Sequence, residues 1–74
     1  MTLPWTWRRL YTLVGRLRAG HRPTRGAWHQ FNQEWQDLPL AKVQWLSQQL
    51  RPIIGDEAVA ELLPPLPKEG EGNL

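Results

Sequence analysis

Few residues of this chain could carry out chemistry, and their spacing does not favour it. The two histidines, His21 and His29, have no second ligand at the spacing of a zinc site, and the chain has no cysteine. The single serine, Ser47, has no histidine placed by sequence spacing to act as its base. Glu57 and Glu61 form an i, i+4 pair that is typical of a solvated helix face. The sequence therefore predicts a protein that is not an enzyme and has no metal or cofactor.

The cations, by contrast, are strongly concentrated in the first third of the chain. Residues 1–25 contain six arginines and no acid, whereas residues 26–74 contain three cations and seven acids. A planar guanidinium matches phosphate, so this row is a candidate anion or nucleic-acid site. The same row is also consistent with a solvated face that attracts the acidic half of the chain, an acidic protein surface, or a membrane. The candidate residues are Arg8, Arg9, Arg16, Arg18, Arg22 and Arg25.

Five tryptophans in 74 residues form the second unusual feature. On helical wheels, Trp5 and Trp45 fall away from the apolar stripes, and Gln48 and Gln49 lie beside Trp45. Tryptophan is enriched at interface hot spots because it combines a large area with few rotatable bonds. The sequence therefore predicts a protein interface at Trp45, Trp5, Gln48 and Gln49. The alternative is that the helices cross at angles that bury both rings.

These residues must be positioned by helices, since no alternating run is long enough for a strand. The apolar periodicity predicts helices at about residues 4–18, 25–36, 39–51 and 56–63. Thr2 and Thr24 are candidate N-caps, and Gly20 is suited to end the first helix. Pro52 is expected to end or kink the third helix, and Gly55 to separate it from the fourth.

The apolar stripes of these helices define the expected core. The first helix contributes Leu3, Trp7, Leu10, Leu13, Val14 and Leu17, with Tyr11 at the edge. The second contributes Ala27, Trp28, Phe31 and Trp35, and the third Leu40, Val43, Leu46 and Leu50. The fourth closes the core with Val59, Leu62 and Leu63.

The predicted fold is all-α: a small bundle of three main helices plus a short fourth. The helical domain is expected to cover residues 1–63. Residues 64–74 are rich in proline, glycine and charge and are expected to form a flexible tail.

The favoured function is a non-catalytic interaction module, an accessory or adaptor subunit that docks on a larger protein assembly or self-associates. One alternative is a small nucleic-acid-binding protein, helix-turn-helix-like, that uses the arginines of the first helix. A second is a structural component of a viral or phage particle. The sequence shows neither a transmembrane segment nor a signal peptide, which favours a cytoplasmic location.

Overall fold

The computed structural model describes residues 4–64, and within them the chain forms four α-helices and no β-strand. The helices are α1 (Trp7–Arg18), α2 (Arg25–Trp35), α3 (Leu40–Ile54) and α4 (Asp56–Leu62). The predicted all-α bundle of three main helices and a short fourth is therefore confirmed. The expected tail lies outside the described residues except for Pro64, and so do Thr2 and Leu3.

Helix α1 begins three residues later than its predicted start at residue 4. Thr6 is its N-cap: the backbone there is extended, and Oγ1 accepts a hydrogen bond from the backbone N–H of Arg9 at 3.2 Å. This bond satisfies one of the donors that the first turn leaves unpaired. Pro4 and Trp5 therefore precede the helix, and a helical wheel does not apply to them.

The end of α1 and the start of α2 match the sequence prediction. Gly20 has a φ of 93°, which suits glycine, and His21 N–H donates to the carbonyl of Arg16 at 2.9 Å. Thr24 caps α2, since its Oγ1 accepts from the backbone N–H of Ala27 at 3.1 Å. These local signals fix the turn between the two helices.

Helix α3 extends past the predicted end at residue 51 and continues through Pro52 to Ile54. Proline lacks an N–H and so cannot bond to the carbonyl of Gln48, but Pro52 and Gln48 are both exposed, where solvent can hydrate that carbonyl. The helix ends at Gly55, whose φ is 91°. Asp56 is the first residue of α4; the N-cap is Gly55, so no side chain caps this helix.

The core lies where α3 packs against α1 and α4, while α2 packs against α4. The fully buried centre consists of Trp35, Leu10, Leu46 and Leu50. Trp28 and Phe31 are partly buried against it, as their stripe predicts. Two predicted core residues are exposed instead: Trp7 retains 38% of its accessible surface and Leu40, the first residue of α3, retains 48%.

Trp5 corrects the sequence prediction in the opposite direction. It was expected to lie away from the apolar stripe and to offer an interface, but only 6% of its surface is exposed. Because α1 starts at Trp7, the extended segment before the helix carries Trp5 across to α2. There its ring meets Phe31 and Trp35 edge to face, with centroids 5.1 and 5.3 Å away. Trp5 is therefore a core residue.

Polar contacts hold this segment in place around Glu34. Trp5 Nε1 donates to Glu34 Oε1 at 2.7 Å, and Gln30 Nε2 donates to Oε2 at 2.8 Å. Arg9 lies 3.6 Å from the same carboxylate, and its guanidinium stacks 3.7 Å from the centroid of the Trp5 ring. Lys42 Nζ donates to the carbonyl of Trp5 at 2.8 Å. The hydrogen bond from Gln30, together with Trp5 and Arg9, outweighs partial burial and holds the pKa of Glu34 below its ordinary value.

Glu34→Gln is expected to lower the free energy of unfolding by about 1 kcal/mol at pH 7, because a charge-assisted acceptor is lost. The lowered pKa makes the charged carboxylate a stabilising group above its ordinary pKa of 4.5, and this stabilisation is lost as the pH falls through the lowered value. The difference between wild type and variant should therefore shrink in acid. Urea denaturation followed by circular dichroism at pH 7 and pH 3 measures it. If wild type and variant differ in free energy of unfolding by the same amount at pH 7 and at pH 3, the charged form of Glu34 is not the stabilising group.

Candidate functional site

Three aromatic side chains meet at the surface where α1 lies beside α3. Tyr11 keeps 57% of its surface exposed and Trp7 keeps 38%, while Trp45 is half-buried. The Tyr11 and Trp45 centroids are 4.8 Å apart and those of Trp7 and Trp45 are 5.7 Å apart, both edge to face. Trp7 and Tyr11 are 6.1 Å apart with their planes tilted by 31°. The three rings form one cluster.

Helix geometry explains why these rings converge. Trp7 and Tyr11 are four residues apart and share a side of α1, next to the buried stripe of Leu10, Val14 and Leu17. Trp45 projects from α3 towards α1 and also packs against the core. Its ring is perpendicular to the other two. The cluster is therefore attached to the core through Trp45, while Trp7 and Tyr11 remain exposed.

Cations and amides surround this cluster. Lys42 Nζ lies 5.8 Å from the Trp7 centroid, and Arg18 donates a hydrogen bond from its guanidinium to the side chain of Gln49. Neither α1 nor α3 contains a single Asp or Glu. We call this surface the aromatic–basic face; it comprises Trp7, Tyr11, Arg18, Lys42, Trp45 and Gln49, with Arg8 and Gln48 at its edges.

The six predicted arginines do not form one site. Arg9 is engaged with Glu34 and Trp5, and Arg22 Nη2 lies 3.4 Å from the carbonyl of Ile53. The side chains of three others are exposed and form no hydrogen bond or ion pair with any residue of the range 4–64; they are Arg8, Arg16 and Arg25. Two carboxylates in that range form ion pairs with arginine, Glu34 with Arg9 and Asp56 with Arg51, and Arg51 itself belongs to the acidic half. Attraction between the two halves therefore accounts for few of the arginines.

Elsewhere the described residues offer little for catalysis. Ser47 is buried at 4% exposure in the middle of α3, and His29 lies on the outer face of α2, 3.3 Å from Gln33. An open groove between α3 and α4 has mainly apolar walls, and its two charged side chains, Arg51 and Asp56, pair with each other at 3.8 Å. Residues 4–64 contain no cluster of three His, Asp or Glu side chains able to hold a metal ion.

Sequence reasoning placed Trp45, Gln48 and Gln49 beside one another, and the structure brings them to the same surface. It missed Trp7 and Tyr11, which were assigned to the core stripe and its edge. The sequence did contain a signal for this. The leucines of α1 and Val14 already form an apolar stripe that is wide enough for one helix face, and Trp7 and Tyr11 lie to one side of that stripe.

Comparison with family models, with curated proteins and with solved structures finds no match to this chain. Within residues 4–64, no helix combines the length and the apolar character needed to cross a membrane. The aromatic–basic face is thus the feature that points to a function.

Proposed function

We propose that this protein is a non-catalytic interaction module, an accessory or adaptor subunit that docks on a larger assembly through the aromatic–basic face. The observation that carries the proposal is the surface cluster of Trp7, Tyr11 and Trp45. Tryptophan, tyrosine and arginine are the residues most enriched among interface hot spots, and here all three types lie together. An exposed aromatic cluster lowers the solubility of a small domain. A partner that covers the cluster removes this disadvantage.

The magnitudes indicate what such an interface requires. Trp7 and Tyr11 together leave on the order of 200 Å² of ring surface open. Burying that area stabilises a complex by about 5 kcal/mol at 25 cal/mol per Å². Association itself costs about 4–15 kcal/mol in lost freedom, so the rings alone do not hold a partner. The charged and amide groups around the rings must contribute as well, and the whole face is the docking unit.

Tyr11→Ala is expected to release the protein from its assembly. Tyr11 is the most exposed ring of the cluster, so its removal should change the free energy of unfolding by less than about 1 kcal/mol. Gel filtration of native extracts checks this: wild type should elute with high-mass fractions and the variant at the mass of the free chain.

Leu40→Ala is the matched control. Leu40 has a similar exposed fraction, 48%, but is not part of the aromatic–basic face. This variant should elute with wild type. Elution of Tyr11→Ala in the high-mass fractions, or equal release of both variants, would refute the proposed function.

A further inference from the structure

We propose that the ligand of the aromatic–basic face is a single-stranded nucleic acid. This inference rests on the proposed function for the location of the surface and adds the chemical class of the partner. It depends on three features of the face: the exclusively cationic charged side chains of α1 and α3, the open rings between them, and the helix that carries the arginines.

The charge of the face fits a polyanion. All the ionised side chains of α1 and α3 are cationic, and the side chain of Arg8 has no partner within residues 4–64. Arg8 and Arg18 lie ten residues apart on α1, which places them about 15 Å apart along the helix axis. Tyr11 lies between them in sequence. A nucleic-acid backbone that runs parallel to α1 would therefore meet a guanidinium on each side of the Tyr11 ring.

The rings between these cations supply a second mode of contact. Tyr11 and Trp7 are tilted by only 31° from each other, whereas Trp45 is perpendicular to both, at 85° and 84°. The two outer rings therefore present faces in similar directions, and the inner ring fixes them. A base stacks on an exposed aromatic face whatever its sequence, and aromatic rings interleaved with cations are the usual platform for single strands.

A duplex fits the face less well. In a helix-turn-helix, polar side chains at the start of the recognition helix read base edges in the major groove. The first two exposed residues of α3, Leu40 and Ala41, are apolar, and the next exposed residue is Gln44. Arg8, whose side chain has no partner within residues 4–64, lies on α1 instead. Paired bases are also stacked on one another and do not offer their faces to Tyr11. We therefore favour a single-strand site on α1 and α3 over the helix-turn-helix-like alternative.

The test is fluorescence anisotropy of the full chain with fluorescein-labelled oligothymidylate and oligouridylate of about 20 nucleotides. We expect binding at low salt whose affinity falls steeply as salt is added. The double variant Arg8→Gln/Arg18→Gln should weaken binding at least tenfold. The slope of log affinity against log salt concentration should also become shallower, by the contribution of about two phosphate contacts. Tyr11→Ala should also weaken binding about tenfold, through lost stacking.

Two controls separate the site from general charge. Arg25→Gln/Arg51→Gln removes the same charge from outside the face and should reduce affinity much less. Leu40→Ala should bind as wild type does. The inference is overturned by any of three results: absence of binding at low salt, equal losses in the two arginine variants, or unchanged affinity of Tyr11→Ala.

Failure here is distinguishable from failure of the proposed function. If oligonucleotides do not bind but Tyr11→Ala still leaves the high-mass fractions, the partner on this face is a protein and only the nucleic-acid inference is wrong. If Tyr11→Ala remains in those fractions, the proposed docking surface itself is wrong.

Discussion

Replacing Trp35 with alanine is expected to leave much of the protein unfolded at 25 °C. Trp35 has no exposed surface, stacks on Phe31 with centroids 5.4 Å apart, and meets the edge of Trp5 at 5.3 Å. Truncating a buried tryptophan costs about 3–5 kcal/mol. A domain of about sixty residues has roughly 3–9 kcal/mol of stability in total. Far-UV circular dichroism with urea denaturation measures the loss.

Trp35→Phe is the control that separates ring packing from the indole N–H. Trp35 Nε1 is buried and has no hydrogen-bond partner within residues 4–64. Phenylalanine therefore breaks no hydrogen bond there and keeps a ring against Phe31, so we expect a loss of only about 1–2 kcal/mol. If Trp35→Ala has the same urea midpoint as wild type, Trp35 is not the centre of the core.

The fold was predictable because its strongest signals are local. Gly20 and Thr24 act within one turn of their own positions, and the stripe through Leu10, Val14 and Leu17 is read from one helix at a time. The sequence left open whether α3 ends at Pro52 or continues through it, since that depends on where the helix meets solvent. The start of α1 was predicted too early because Thr2 was taken as its cap, whereas Thr6 is the cap.

The candidate site was only partly predictable because it belongs to two helices. The phase of α3 alone places Trp45, Gln48 and Gln49 away from its stripe, but in the structure Trp45 is partly buried against the core. The neighbours of Trp45 on α1, by contrast, depend on how α1 lies against α3, which periodicity does not encode. The hydrogen bond of Trp5 to Glu34 joins residues 29 apart in sequence, and no local pattern indicates it. Side-chain environments set by tertiary packing are what the sequence alone leaves open.

Trp5→Ala is expected to destabilise the protein far more than Trp7→Ala, the reverse of the order that helical periodicity implies. Trp5 is 6% exposed and Trp7 is 38% exposed. Loss of the buried ring costs about 3–5 kcal/mol, whereas loss of the surface ring costs about 1 kcal/mol. Urea denaturation monitored by circular dichroism compares the two midpoints directly.

Trp5→Phe then divides the contribution of Trp5 into its two parts. Phenylalanine keeps a ring near Phe31 and Trp35 but removes the N–H that donates to Glu34 at 2.7 Å. A bond to a carboxylate contributes about 1.5–3 kcal/mol, so this variant should fall between wild type and Trp5→Ala at pH 7. Because the bond depends on the charged form of Glu34, the gap between wild type and Trp5→Phe should narrow in acid as that carboxylate is protonated. Equal midpoints for Trp5→Ala and Trp7→Ala would show that the segment before α1 does not fold against α2, and that Lys42 is not held by the carbonyl of Trp5.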